Sequence, residues 1–100
     1  MISGLVMAVG IFVGARPWAP FAVGHGALAA AALVLALLVA IATGSAAIEY
    51  GVAVLVPAAL GGLFLLSFRL RGKRQPRVVV VLHALFAIAG VGCLVFALLQ

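Results

Sequence analysis

Phe68-Arg69-Leu70-Arg71-Gly72-Lys73-Arg74-Gln75-Pro76-Arg77 is the only extended polar stretch in a chain of 100 residues, and apolar sequence flanks it on both sides. A helix that crosses a hydrocarbon core roughly 30 Å thick needs about 20 mostly apolar residues. The run from Glu49 to Phe68 and the run from Arg77 to Leu99 both meet that requirement. Toward the N-terminus, Thr43, Gly44 and Ser45 are turn formers that close a third run, Pro20 to Thr43. Arg16, Pro17 and Pro20 then interrupt the first run, Met1 to Ala15, with a charge and two ring-locked residues. Pro20 suits the first turn of a helix, where a missing N–H does no harm. Glu49 suits a helix N-terminus, where negative charge is favoured. The reading is an all-α membrane protein: one domain over 1–100, with four transmembrane helices at about 1–15, 20–43, 49–68 and 77–99 in an up-down bundle.

Composition supports the same solvent. With 69% hydrophobic and 7% charged residues and a mean hydropathy of +1.51, the chain has too little polar surface to coat a water-soluble globule. The first segment lacks a basic leader region, and Arg16 to Pro20 is not a small-residue cleavage site, so it is expected to be retained. As an ideal helix it reaches only about 22 Å, which Arg16 would extend by snorkelling to the interface. Gly10 and Gly14 form a GxxxG pair within it, and Gly61, Gly62, Gly90 and Gly92 offer smooth patches later. Such residues commonly serve helix packing.

Five of the six basic residues lie in the opening stretch, and the sixth, Arg16, lies in the first connection. In four antiparallel spans these connections share a side, which the positive-inside rule makes cytoplasmic. The loop around Gly44 to Ile48 and both termini would be outside. The expected location is multi-pass, in a bacterial inner membrane. The net charge of +5 is then a membrane-flanking signal, with no aromatic-interleaved basic domain that would bind nucleic acid.

Hydrolytic and transferase chemistry is not visible. Glu49 is the sole acid, so no carboxylate pair exists for acid–base work. Cys93 is the sole cysteine, which excludes an intramolecular disulfide and a cysteine metal cluster. Ser3, Ser45 and Ser67 form no Ser-His-acid pattern. Trp18 reads as an interfacial anchor. The Arg16-Pro17-Trp18 triplet looks like one in bacterial light-harvesting polypeptides, but those have a single span.

His25 and His83 are the residues that carry chemistry. They fall five residues beyond Pro20 and seven beyond Pro76, roughly 8 to 10 Å along two helices that run the same way. Ionisable residues in spans are costly in lipid and normally face the protein interior. The two halves also read as a tandem hairpin repeat. Gly10-Ile11-Phe12-Val13 matches Gly62-Leu63-Phe64-Leu65, and His25-Gly26-Ala27-Leu28-Ala29 matches His83-Ala84-Leu85-Phe86-Ala87. Residues on the histidines' own faces are small: Ala29 and Ala32 in one helix, Ala87 and Gly90 in the other. Two imidazoles at one depth could bind iron from both sides of a porphyrin lying against these residues. Arg16, Arg74 and Arg77 would pair with its propionates.

In this pattern the chain resembles membrane b-type cytochromes, whose helical bundles hold haem between histidines of different helices. Many of those carry four histidines for two haems; two histidines imply one haem b, with His25 and His83 as iron ligands, and electron transfer as the activity. Two other readings stand beside it. One is a non-catalytic accessory subunit of a larger membrane complex, resting on the glycine-rich faces. The other is a small dimeric transporter, which resembles the small multidrug resistance family in length and span count. That family's glutamate in the first span has no counterpart between Met1 and Ala15.

Overall fold

The computed structural model describes residues 2–14 and 18–100. They form four helices: α1 (Ile2–Phe12), α2 (Ala19–Thr43), α3 (Ala46–Leu70) and α4 (Arg77–Leu98). Among the described residues all regular structure is helical. Helices α2, α3 and α4, of 25, 25 and 22 residues, are long and apolar enough to cross a membrane. Helix α1, with 11 residues, spans only about 16 Å.

Helix ends follow local chemistry. Gly14, at φ 89°, turns the chain soon after α1, two residues past the last helical position and before the expected Ala15. Gly72, at φ 69°, does the same after α3. There the amide of Lys73 donates to Phe68 O at 2.9 Å and that of Gly72 to Arg69 O at 3.2 Å, the paired bonds of a Schellman stop. Helix α2 ends at Gly44, φ 64°, whose amide donates to Ala40 O. The next residue, Ser45, caps α3 by accepting from the Ile48 amide at 3.4 Å. Helix α3 therefore begins at Ala46, three residues before the expected start, and Glu49 lies in its first turn. The α2–α3 connection is reduced to Gly44 and Ser45.

The core sits mainly between α3 and α4. Gly51 and Gly90 let these helices close on each other. A Cβ on Gly51 would lie 2.8 Å from Leu94 Cδ2, and one on Gly90 would lie 2.5 Å from Leu55 Cγ. Each glycine thus receives a leucine from the opposite helix. Ala58 and Leu65 of α3 and Val80 of α4 are buried as well. Helix α2 packs along α3, while α1 touches α2 and α4 more lightly. The bundle measures 42 × 18 × 18 Å, and its long axis matches a bilayer of about 40–45 Å including headgroups.

The outer surface is apolar. Leu28, Ile41, Leu63 and Leu85 all lie open, and among the described residues only Ala40, Ile48, Ala58, Leu65 and Val80 form buried hydrophobic core. Contiguous apolar exposure on this scale is foreign to soluble monomers.

Candidate functional site

Helix α2 carries His25 six residues after its start at Ala19, and α4 carries His83 six residues after its start at Arg77. Both imidazoles are therefore about 9 Å along their helices. Their ring centroids are 6.4 Å apart and their planes meet at 87°.

Each ring is held at Nδ1. His83 Nδ1 lies 2.6 Å from the main-chain oxygen of Ala58. A carbonyl can only accept, so this nitrogen donates, and in the neutral tautomer Nε2 is left with the lone pair. His25 Nδ1 lies 2.9 Å from Ser3 Oγ, a group that can donate or accept. Among the described residues no hydrogen bond engages either Nε2.

Each ring also lies over a glycine of the preceding helix. A Cβ on Gly4 would be 3.0 Å from His25 Cε1, and a Cβ on Gly62 would be 3.0 Å from His83 Cε1. Gly4 and Gly62 are separated by the same 58 positions as His25 and His83. So are the helix ends Phe12 and Leu70, the turns Gly14 and Gly72, and the helix starts Ala19 and Arg77. The common register of the two hairpins therefore pairs Gly4 with Gly62, not Gly10 with Gly62 as the apolar match suggested. Gly14 serves the turn, and apart from its chain neighbours no described residue lies within 4 Å of where its Cβ would be.

The histidines line an apolar cavity of about 340 Å³ between the four helices, a size within the roughly 300–1,000 Å³ of cofactor pockets. Ala29 and Ala87 line it as well. Ala32 and Gly90 do not: Ala32 is exposed, and Gly90 is buried in the α3–α4 contact against Leu55. The face that carries a histidine thus splits along its length between cavity and packing.

Comparison with known proteins adds nothing to this geometry. No family model, curated protein or solved structure matches the chain. The chemistry rests on the residues themselves.

At the end of the bundle where α1 and α3 stop, a second and smaller pocket is lined by Arg69, Lys73, Arg74 and Arg77 together with Gly14. Ile11 and Gln75 line both pockets. Arg77 donates to Phe12 O at 3.4 Å and ties the start of α4 to the end of α1. Gln75 Nε2 donates to Leu65 O at 2.8 Å, while its buried Oε1 has no partner among the described residues. Arg74 and Arg77 thus sit beside the cavity as a group with Arg69 and Lys73. Arg16 lies outside the described residues.

Sequence reasoning expects a histidine inside a span to bond a backbone carbonyl or a serine of another helix, as His83 and His25 do, but it does not single out Ser3, Ala58, Gly4 or Gln75. A signal for Gly4 was present, since Gly4 to His25 and Gly62 to His83 share one spacing. Nothing in sequence marks a particular main-chain carbonyl.

Proposed function

We propose that this protein is a small integral membrane b-type cytochrome-like protein that holds one haem between His25 and His83 for electron transfer. The observation that carries the reading is the histidine pair. Their ring centroids lie 6.4 Å apart at the cavity, so His25 and His83 would be the residues to hold a haem iron between them. Among the described residues no cluster of three or more His, Cys, Asp or Glu exists. Two protein ligands are too few for a tetrahedral site but are the number an iron needs when a porphyrin supplies its equatorial nitrogens. Ala29 and Ala87 leave flat space beside the rings, and Arg74 and Arg77 offer cations for carboxylates at the cavity's basic end.

The chain's own residues have defined roles in this account. Ala58 O fixes the His83 tautomer and keeps Nε2 as a donor to metal, the usual outer-sphere arrangement for a ligating histidine. Gly62 and Gly4 let the rings approach the backbone and set their directions. The apolar lining excludes water. Haem supplies the one-electron chemistry.

The proposal includes placement in a membrane as an up-down bundle of two duplicated hairpins, with the Arg16 connection and the 71–76 connection cytoplasmic and both termini outside. Gly14 and Lys73 lining one pocket supports a shared side for those connections. The lipid-like outer surface supports the placement.

The accessory-subunit reading has one observation of its own. The Nδ1 atoms already have partners, and 6.4 Å at 87° also suits an edge-to-face ring pair. Purification from haem-sufficient cells separates the two readings. The haem reading expects about one haem b per chain by pyridine haemochrome analysis; a folded preparation lacking haem favours the accessory subunit.

A further inference from the structure

The chain has six basic residues and one acidic residue, Glu49. Four of the six, Arg69, Lys73, Arg74 and Arg77, line one pocket of about 30 Å³ at the end of the bundle, room inside for roughly two waters. Glu49 is in the first turn of α3, and the pocket takes Arg69 from that helix's last turn. Twenty helical positions at about 1.5 Å rise, roughly 30 Å, keep the acid far from it. The convergence is therefore one of like charges with no carboxylate of the chain nearby. A loop whose charges served only to orient the protein in a membrane would have no need to converge. Arg71 turns elsewhere, its Nε donating to Ser67 O at 3.2 Å and its guanidinium stacking on Phe68 at 4.7 Å, whereas Arg77 lines the pocket while also donating to Phe12 O. Arg71 does not line the pocket.

A second feature points the same way. Helix α4 starts beside this pocket, with Pro76 as its N-cap and no side-chain cap on its first amides. Uncapped N–H groups and the positive end of the helix dipole favour an anion. Guanidinium groups suit phosphate oxygens in particular.

We infer that Arg69, Lys73, Arg74 and Arg77 form a binding site for a phosphate group, carried either by an anionic membrane phospholipid or by a free phosphate. The site shares Arg74 and Arg77 with the propionates of the proposed function, so haem would compete with phosphate there, and phosphate binding can be tested whether or not haem is bound. Basic pockets between helices on the cytoplasmic side are the places where anionic headgroups bind.

The test uses the full chain in a neutral detergent, with native mass spectrometry and thermal unfolding followed by circular dichroism. Phosphatidylglycerol, phosphatidylcholine and inorganic phosphate are titrated separately. The site predicts a one-to-one adduct and a raised unfolding midpoint with phosphatidylglycerol or inorganic phosphate, and neither with phosphatidylcholine at equal concentration. Saturation by phosphatidylglycerol at lower concentration than phosphate assigns the lipid; the reverse order assigns free phosphate. K73Q/R74Q should weaken binding about tenfold or more, whereas R71Q should leave it unchanged. The inference is overturned if neither anion binds, if phosphatidylcholine binds equally well, or if R71Q loses as much as K73Q/R74Q. Should K73Q/R74Q not fold, lipid selectivity of the unaltered chain and retention by R71Q decide the matter.

Discussion

His25 and His83, on helices that make little direct contact with each other, bring their rings to 6.4 Å at 87° across a cavity. If both rings held a haem iron while keeping this near-perpendicular angle, the ferric protein would be expected to give a highly anisotropic low-spin signal. Electron paramagnetic resonance of the oxidised protein checks this. A well-resolved rhombic signal would mean rings nearer to parallel than this structure has them.

The two ligands should behave as a unit. His25→Ala and His83→Ala should each remove the six-coordinate low-spin spectrum, and the double variant should add little to either. Histidines that only satisfy local polar contacts would instead cost about 1 kcal/mol apiece in stability, nearly additively. Equilibrium unfolding of the three variants, read beside their spectra, separates these outcomes.

Glycine substitutions test what holds the rings. Gly62→Ala and Gly4→Ala put a methyl group 3.0 Å from a histidine Cε1, so each should shift the ring and lower haem occupancy. Gly24→Ala, where nothing lies within 4 Å, should leave occupancy unchanged. Gly90→Ala meets Leu55 at 2.5 Å and should cost about 1–3 kcal/mol by overpacking, with the spectrum of the remaining folded protein unaltered. Haem-to-protein ratios and thermal unfolding of the four variants provide the check.

Much of the helical layout was legible because apolar runs and their interruptions are local. The starts of α2 and α4 fall within one residue of those read from Pro20 and Arg77. The start of α3 was read late because Glu49 drew the boundary to its charge, while the hydroxyl of Ser45 caps the helix four residues earlier. The short α1 reflects Gly14, read as a packing glycine but used in a left-handed turn. The histidines stood out because imidazole is rare in such sequence, and Ala29 and Ala87 followed from helical periodicity. Gly90 obeys the same periodicity yet packs against Leu55, because which part of a face meets a neighbour depends on how helices cross. The convergence of Arg69 and Lys73 with Arg74 and Arg77 depends on the Gly72 turn and the backtracking of the connection, which composition does not encode.

Topology is tested by labelling. With both basic connections on one side, a cysteine introduced at Gln75 should react only from the cytoplasm and one at Ser45 only from outside. The opposite pattern would reverse the orientation while leaving the histidines at a shared depth. Reaction of both from one side would rule out α3 crossing the membrane.

The central claim, one haem held between His25 and His83, is tested most directly by the reduced-minus-oxidised absorption spectrum of the unaltered protein purified from haem-sufficient cells. The account predicts the bands of a six-coordinate b-type haem. A fully helical, folded and colourless protein would contradict it.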